Sequence, residues 1–308
     1  MRFIDEHKDR FGGVQPICRV LREHGWWIAP SGYWAAKARP PSARVVRDGA
    51  LTAEIVRIHA DNYSVYGVRK MWRELRRQGW QVARCTVERL MRAAGLVGAH
   101  RGGRKIRTTI ADTGHERAAD LVNRNFTAPR PNRCWVADFT HVAAWSGVVY
   151  VAFAVDVYSR AIVGWSAATH KRTSLVLGAL DMGLWRRDRA GQGIQDGLIH
   201  HSDAGSQYTS FRFTAHLLQA GIDASIGSVG DALDNALMES TIGLYKTELI
   251  KPRGPWRSLA DVELATAEWV DWYNAQRLHS AIGYVPPAEY ESTYYAQLQP
   301  REAVGATT

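Results

Sequence analysis

The segment Cys134-Trp-Val-Ala-Asp-Phe-Thr140 is an apolar run with a single acid, Asp138, in its middle. A short apolar run of this kind predicts a buried strand. A carboxylate inside a buried strand is unfavourable unless its charge is compensated. The segment therefore predicts a central strand that carries a charge in need of a partner.

Two further acids occupy comparable positions downstream. Asp203 lies in Leu198-Ile-His-His-Ser-Asp-Ala-Gly-Ser-Gln-Tyr208, a short strand that runs into a Gly/Ser turn. Glu239 lies in Asp231-Ala-Leu-Asp-Asn-Ala-Leu-Met-Glu-Ser240, which opens a helix predicted to reach about Ile250, and 35 residues separate it from Asp203. A divalent metal is the simplest compensation for three acids, so the pattern indicates a metal site.

Short motifs surround each acid. They are Trp135-x-x-Asp138-x-Thr140, His200-His-Ser-Asp-x-Gly-Ser-Gln-Tyr208, Ser228-x-Gly-Asp-x-x-Asp-Asn-Ala236, Glu239-x-x-x-x-x-x-Lys246 and Trp272-Tyr-Asn-x-x-Arg277-x-His279-x-x-x-Gly283-Tyr-x-Pro-Pro-Ala288. Together with the spacing of the acids, these motifs resemble the catalytic core shared by retroviral integrases and the transposases of the IS-three family of bacterial insertion sequences. The resemblance runs through roughly half of the chain, in the family's order.

The resemblance implies an α/β fold, namely a ribonuclease H-like mixed five-stranded sheet with flanking helices. It implies a DDE transposase that binds element ends and catalyses DNA cleavage and strand transfer. Asp138, Asp203 and Glu239 would be the catalytic residues and the ligands of Mg²⁺, for which Mn²⁺ can substitute; Asp138 would bridge two metals. The partners implied are DNA (terminal repeats and target), further copies of the chain on DNA, and an upstream-frame protein.

Cutting and joining DNA are in-line displacements at phosphorus, which two divalent metals can assist by activating the attacking oxygen and stabilising the leaving one. Mg²⁺ prefers carboxylate, phosphate and water oxygens. Asn235, Glu239 and Lys246 follow at helix offsets of four and seven, so we expect them to share a face and Lys246 to point at DNA. His200, His201, Ser206, Gln207 and Tyr208 are expected beside the metal or on DNA.

The chain before the core is helical and basic. Residues 1–110 contain 22 Lys and Arg against 9 Asp and Glu, whereas residues 131–308 contain 14 against 18. This asymmetry suggests that one part holds a polyanion and the other binds metal. The pattern over Tyr66–Arg77 predicts a basic amphipathic helix with Val68, Met71, Trp72 and Leu75 inward. A second helix is predicted over Arg84–Arg92. The pair resembles the helix-turn-helix that precedes the core in IS-three transposases. The basic residues expected to contact DNA are Arg69, Lys70, Arg73, Arg84, Arg101, Arg104 and Lys105.

The predicted organisation has five parts. Residues 1–49 form an N-terminal helical region with a possible helix-turn-helix, broken at Gly12-Gly13 and with Ser31 as an N-cap. Residues 50–98 form the helix-turn-helix region and residues 99–130 a basic linker. Residues 131–292 form the integrase core, whose last helix is expected from about Leu259 to Leu278, and residues 293–308 form a tail.

Composition narrows the classes of protein. No apolar run is long enough to span a membrane, and the first residues have no signal-peptide pattern. Cys18, Cys85 and Cys134 are odd in number and widely spaced, which favours reduced thiols in a cytosol over a disulfide or zinc framework. The resemblance implies a bacterial cytoplasmic protein that is associated with the nucleoid when it is bound to DNA. His201-Ser-Asp203 lacks the G-x-S-x-G context of a serine hydrolase, and Cys/His spacing for a zinc nuclease is missing as well.

Two alternatives remain open beside a transposase. One is a ribonuclease H-like nuclease or resolvase that cuts DNA without joining it. The other is a DNA-binding regulator with an inactive core, which the intact acids and Lys246 disfavour. Ala204 follows the second Asp where many family members have Arg, and its presence is expected to weaken a DNA contact. Elements of the family commonly encode an upstream frame with a leucine zipper, and no heptad run occurs in this sequence, so the resemblance implies that the chain is the downstream product of a two-frame element.

Overall fold

A computed structural model describes residues 1–100, 118–122, 125–194, 197–227 and 235–298. The chain divides into two compact units, Met1–Glu54 and Ile55–Thr308. Because this division follows compactness alone, the five parts expected from the sequence remain predictions.

The first unit has three short helices, α1 (Arg2–His7), α2 (Val14–Glu23) and α3 (Pro30–Ala38), and the start of α4 (Ala43–Asp61). The predicted break falls at Gly12 and Gly13, whose φ angles of 70° and 109° suit glycine. A small core holds the helices together, formed by Ile4, Val14, Ile17, Cys18 and Tyr33.

The predicted N-cap at Ser31 is wrong. Helix α3 begins one residue earlier, at Pro30, and its N-cap is Ala29, which makes no side-chain capping bond. Proline suits the first helical position because its φ is already fixed and its missing N–H is not needed there. The ring of Pro30 therefore starts this helix in place of a serine hydroxyl.

The second unit begins with the end of α4 and the helix pair α5 (Val68–Arg77) and α6 (Arg84–Ala93). Met71 and Leu75 of α5 are buried, as are Val87, Leu90 and Met91 of α6. Trp72 of α5 is half-buried, and its Nε1 donates to the carbonyl of Val82, in the turn between the helices, at 2.9 Å. Both predicted helices are confirmed.

A five-stranded sheet forms the centre of this unit. Its strands are β1 (Cys134–Ala144), β2 (Gly147–Asp156), β3 (Ile162–Ala168), β4 (Ile199–Ser202) and β5 (Asp223–Ile226). Their order is β3-β2-β1-β4-β5, with the first three antiparallel and β1, β4 and β5 parallel. This is the ribonuclease H-like mixed sheet that the sequence predicts, and β1 lies at its centre.

Helices cover both faces of the sheet, which explains why β1 and β2 are apolar almost throughout. On one face, α7 (Thr173–Arg189) and α8 (Phe211–Gln219) enclose Trp135, Ala152 and Ala154. Helix α7 lies so close to β3 that a Cβ on Gly164 would come within 1.9 Å of the carbonyl oxygen of Ala179. Only glycine allows that approach.

The other face carries α9 (Ala236–Tyr245) and α11 (Leu259–Ala275). Here Phe153 of β2 contacts Tyr245 and Trp269 edge-on, with ring centroids 5.0 and 6.4 Å apart. Helix α9 continues directly into a π-helical segment, Lys246–Ile250, and one further turn, α10 (Lys251–Arg253). The predicted continuation of this helix to Ile250 is confirmed, with a change of helix type.

Two predicted boundaries near the C-terminus are wrong. Helix α11 ends at Ala275, not near Leu278, because Arg277 turns inward to Glu248. A further helix, α12 (Pro287–Leu298), continues past residue 292, after which the sequence suggested only a tail. Pro287 occupies its first position and Pro286 precedes it, so the two prolines mark a helix start.

Helix α12 is fixed to the sheet by a buried charge cluster. The guanidinium of Arg187 donates to both carboxylate oxygens of Glu291 at 2.6 Å. The Oγ of Ser159 donates to Glu291 at 2.6 Å, and Asp156 accepts the N–H of Asn132 at 2.7 Å. Each charged group thus has a partner, as burial requires.

The described helices include none long and apolar enough to cross a membrane. Cys18, Cys85 and Cys134 are free cysteines, as expected.

Glu291→Ala should lower the free energy of unfolding by about 3–5 kcal/mol, because it leaves the Arg187 guanidinium buried without its partner. Urea unfolding at pH 7 measures the change. The matched control on the same helix is Glu289→Ala, which removes an exposed pair with Arg77 and should change stability by under about 1 kcal/mol. Equal losses in the two variants would contradict the buried cluster's role.

Candidate active site

The site forms where β4 ends beside the middle of β1. The two strands are parallel and Ala137 pairs with Ser202, so the next residues, Asp138 and Asp203, stand at neighbouring positions. Adjacent strands lie about 4.8 Å apart. The fold therefore brings together two acids that are far apart in sequence.

Asp138 is half-buried within β1. Its Oδ1 accepts the N–H of Phe139 at 2.7 Å. Burial raises the pKa of Asp138 to about 8, with the charge of Asp203 as the next cause, and Glu239 raises it further. The Phe139 N–H and the Lys246 ammonium oppose the shift. Without a cation, the protein thus holds this carboxyl largely protonated at neutral pH.

Asp203 follows β4 and shapes the turn after it. Its Oδ1 accepts the N–H of Gly205 at 3.1 Å. A Cβ on Gly205 would lie 2.9 Å from that same oxygen, so the turn requires glycine two residues after the acid. Burial raises the pKa of Asp203, while the Gly205 N–H lowers it.

Glu239 lies in the first turn of α9 and its side chain is exposed. The N-cap of this helix, Asn235, is buried, and its Nδ2 donates to the carbonyl of Ala137 at 3.1 Å. That bond joins the start of α9 to the strand residue next to Asp138. Asn235 was expected to contact DNA, but its side chain instead joins helix to strand.

The donor set suits a hard divalent cation, because carboxylate oxygens are the ligands that Mg²⁺ prefers. Burial raises the pKa of both Asp138 and Asp203, and the charge of Asp203 raises that of Asp138 further; a cation would relieve both effects. Within the described residues, however, no group of three or more His, Cys, Asp or Glu is gathered closely enough to hold a metal. Glu239 acts on Asp138 electrostatically without closing a three-carboxylate cage.

Lys246 is half-buried at the start of the π-helical segment. Burial lowers its pKa, and the charge of Asp138 opposes that effect. The ammonium group therefore lies within electrostatic reach of the carboxylate pair. Its position beside the acids agrees with the sequence prediction, and its contact with DNA stays a prediction.

Tyr208 was expected on DNA, and the structure contradicts this. Its ring is buried in the core under α8, 5.5 Å from Phe213 between centroids, and its hydroxyl has no hydrogen-bond partner among the described residues. Burial raises its pKa well above the usual value, with Asp138 and Asp203 adding to the shift. Gln207 is half-buried, its Nε2 donates to the carbonyl of Lys171 at 2.9 Å, and its contact with DNA stays a prediction.

The two histidines of the motif are likewise buried in β4 and do not face solvent. Burial lowers the pKa of His200 to about 4, so it is uncharged at neutral pH. The Nδ1 of His201 lies 2.9 Å from the Oγ of Ser225 on β5. Their alternation along a strand that is covered on both faces explains why each is enclosed. Ser206 is exposed.

On α5 and α6, Arg69, Arg73 and Arg84 are exposed, as predicted. Lys70 is not on that outer face: it is half-buried, with its Nζ 5.2 Å from the centroid of the Tyr66 ring. Burial lowers its pKa to about 7. Arg101, Arg104 and Lys105 fall outside the described residues.

Sequence reasoning missed one buried pair. Arg277 donates to Glu248 through Nε at 2.9 Å and through a terminal nitrogen at 2.5 Å, and both side chains are 5% exposed. The motif that contains Arg277 was recognised, but no role followed from it. The only signal in the sequence for the burial of Glu248 was its position directly before two apolar residues, Leu249 and Ile250.

Comparisons with known proteins agree with this architecture. Family models described as integrase core domain match residues 128–232 and 220–287, and one described as HTH-like domain matches residues 47–115. The chain is 55% identical over 278 residues to a putative transposase for insertion sequence element IS986/IS6110 of Mycobacterium tuberculosis (strain ATCC 25177 / H37Ra), covering 90% of this chain and 99% of the relative.

It is also 48% identical over 303 residues to the transposase for insertion sequence element IS629 of Shigella sonnei, covering 97% of each chain. Among solved structures it resembles the catalytic core domain of HTLV-2 integrase in complex with magnesium, with a TM-score of 0.40 and 19% identity over 53% of this chain and 98% of that chain.

The raised pKa of Asp138 predicts a pH-dependent stability in chelator. Its folded pKa, about 8, exceeds the unfolded value of about 3.9. The folded protein therefore binds more protons, and its free energy of unfolding falls as the pH rises from about 4 to about 8, by at most about 1.4 kcal/mol per pH unit. Asp138→Asn should lack this decline and be the more stable protein above pH 7.

Urea unfolding at pH 5, 7 and 9 measures the difference. Asp223→Asn, which neutralises an exposed acid of the same sheet, is the control and should keep the parent's slope. If Asp138→Asn also kept that slope, the carboxyl would not be perturbed by its surroundings.

Proposed function

The chain belongs to the IS-three family of insertion-sequence transposases, and we propose that Asp138, Asp203 and Glu239 together perform its DNA cleavage and strand transfer with a divalent cation. The observation that carries the proposal is the pairing of Ala137 with Ser202, which sets two carboxylates side by side at the sheet's centre. Glu239, close enough to affect the pKa of Asp138, is the third acid.

Asp138 and Asp203 would hold the cation, and Glu239 would complete the ligand set. Mg²⁺, or Mn²⁺ in its place, would supply charge for activating the attacking oxygen and stabilising the leaving one. The protein's own part is positional. Gly205 lets its N–H orient Asp203, and Asn235 fixes the start of α9 to β1, so that Glu239 projects from an anchored helix.

Lys246 has a separate role in this proposal. Its ammonium group is half-buried near Asp138, where a DNA phosphate approaching the acids would add negative charge. A cation at this point neutralises part of that charge and orients the phosphate. The π-helical segment presents Lys246 from the same continuous helix that carries Glu239.

The proposed partners are DNA at element ends and at the target, and further copies of this chain assembled on that DNA. The helix pair α5 and α6 would contribute exposed cations, Arg69, Arg73 and Arg84, to phosphate contacts. The proposal also includes an upstream-frame protein of the same element as a partner, and association of the DNA-bound chain with the bacterial nucleoid.

Asp138→Asn and Glu239→Gln should each abolish both cleavage and joining in Mg²⁺ or Mn²⁺, because each removes one charge of a shared ligand set. Binding to element-end duplexes should persist. Gel assays with labelled element-end oligonucleotides follow the two reactions, and fluorescence anisotropy follows binding. Joining by Glu239→Gln near the parent rate would remove that residue from the site. Cleavage without joining by the parent would indicate a nuclease instead.

Lys246→Ala should lower strand transfer at least tenfold while changing the free energy of unfolding by under about 1 kcal/mol, since a partly exposed helix lysine contributes little to stability. Lys251→Ala, an exposed lysine one turn onward, is the control and should retain near-parent activity. A large loss of stability with full activity would indicate a structural role for Lys246.

A further inference from the structure

Tyr208 differs from the other buried tyrosines in the part of the chain that the structure describes. Each of the others has a hydrogen-bond partner for its hydroxyl; they are Tyr33, Tyr66, Tyr245 and Tyr273. Among the same described residues, the hydroxyl of Tyr208 has no partner. Burying an unpaired hydroxyl is unfavourable, and buried tyrosines usually avoid it. The unpaired hydroxyl therefore points to a partner that the side chain meets only in another state of the protein.

Three rings hold the side chain of Tyr208 in place. Its ring centroid lies 5.5 Å from that of Phe213, 6.1 Å from that of His200 and 6.4 Å from that of Phe139. The Phe213 ring meets it edge-on, which is a favoured arrangement of aromatic pairs. Tyr208 is 3% exposed, so its hydroxyl has to find a partner inside the protein.

The ring lies against the supports of both members of the carboxylate pair, Asp138 and Asp203. Phe139, which packs on Tyr208, directly follows Asp138 and donates its N–H to that acid. On the other side, a Cβ on Gly205 would lie 2.9 Å from Oδ1 of Asp203 and 3.7 Å from Cδ2 of Tyr208. The N–H of Tyr208 donates to the carbonyl of Gly205 at 3.0 Å and closes the same turn. Tyr208 is thus built into the backbone that carries both acids.

The hydroxyl is chemically suited to these acids. Burial raises the pKa of Tyr208 well above its usual value, and the charges of Asp138 and Asp203 add to the shift, so the carboxylates lie within electrostatic reach. The phenol stays protonated and can donate a hydrogen bond. A hydrogen bond from a hydroxyl to a carboxylate is about twice as strong as one between neutral groups.

His200 offers a competing acceptor. Its Nδ1 also lacks a hydrogen-bond partner among the described residues. Burial lowers the pKa of His200 to about 4, so the ring is uncharged at neutral pH. A bond between two neutral groups belongs to the weaker class. The carboxylates are therefore the stronger partners, and the experiment below separates the two cases.

We propose that Tyr208 is a positioning residue of the active site, whose hydroxyl donates a hydrogen bond to the carboxylate pair when the pair holds its divalent cation. This role rests on the cation-binding function proposed above for Asp138 and Asp203. A carboxylate has about four lone-pair sites, so it can bind a cation and still accept a hydrogen bond. Because three rings hold Tyr208, the shorter acid side chains turn toward it. The bond then fixes their orientation as ligands.

The first test compares the Tm of the full chain in chelator and in a series of Mn²⁺ concentrations. For the parent, Tm should rise with Mn²⁺, because the cation binds the folded state. In chelator, Tyr208→Phe should be as stable as the parent or more so, since it removes a buried hydroxyl that has no partner. The Mn²⁺ concentration that gives half of the Tm rise should increase roughly 10–100-fold, as for loss of a group that orients metal ligands.

Tyr245→Phe is the matched control. It also removes one hydroxyl from a buried ring, but that hydroxyl is 2.7 Å from the Oγ1 of Thr266 and bonded to it. Its Tm in chelator should therefore fall below that of the parent. Its Mn²⁺ response should be unchanged, so the two variants should show opposite patterns.

Strand transfer with element-end oligonucleotides gives the second readout. The half-saturating Mn²⁺ concentration should again be roughly 10–100-fold higher for Tyr208→Phe. Excess Mn²⁺ should recover part of the parent rate, because the acids themselves are intact. Affinity for the duplex, followed by fluorescence anisotropy, should match that of the parent, because the enclosed hydroxyl does not contact DNA.

An unchanged Mn²⁺ requirement of Tyr208→Phe in both readouts would refute the positioning role. If its Tm in chelator also fell as that of Tyr245→Phe does, the hydroxyl would have a partner within the core, such as His200. A parent that showed neither a Mn²⁺-dependent Tm nor strand transfer would instead contradict the proposed function, and the role of Tyr208 with it.

Discussion

Repulsion between two carboxylates on neighbouring strands, one within β1 and one just after β4, is the constraint on which this structure depends. The parallel pairing of β1 with β4 places Asp138 beside Asp203, and no rearrangement of side chains alone can separate them widely. The surrounding protein limits the penalty with directed N–H groups from Phe139 and Gly205. A bound cation would relieve the imbalance that remains.

The rest of the fold keeps that pair in place. Helix α9 is joined to β1 through Asn235, and the π-helical segment that continues it is fixed by the buried Glu248–Arg277 pair. Helix α12 is fixed to α7 by the buried Arg187–Glu291 pair. Both buried pairs have one member within a helix and the other near the C-terminus, so late residues of the chain complete the core.

Much of the fold could be predicted, because its signals are local. Apolar runs marked the strand around Asp138 and the strand before Asp203, the resemblance implied a sheet of five strands, and Gly12-Gly13 marked a helix break. The neighbouring positions of Asp138 and Asp203 followed from a resemblance and from strand order. Side-chain direction could not be predicted equally well. Tyr208 and Lys70 looked suitable for DNA, but only the packing of α8 and of Tyr66 shows that one is enclosed and the other half-enclosed.

The docking of α5 onto the C-terminal segment has a consequence for the spacing, along the DNA, between the sequence that is bound and the position that is cut. Tyr66 and Arg77 join this helix region to Leu278 and Glu289 inside one compact unit. A duplex held by α5 and α6 would present its strand to Asp138 at a set distance and a set rotation. One added base pair turns B-form DNA by roughly 34°, given about 10.5 base pairs per turn. Because the protein holds both positions rigidly, the spacing between the bound sequence and the cut would then have to keep the same rotation about the DNA helix axis.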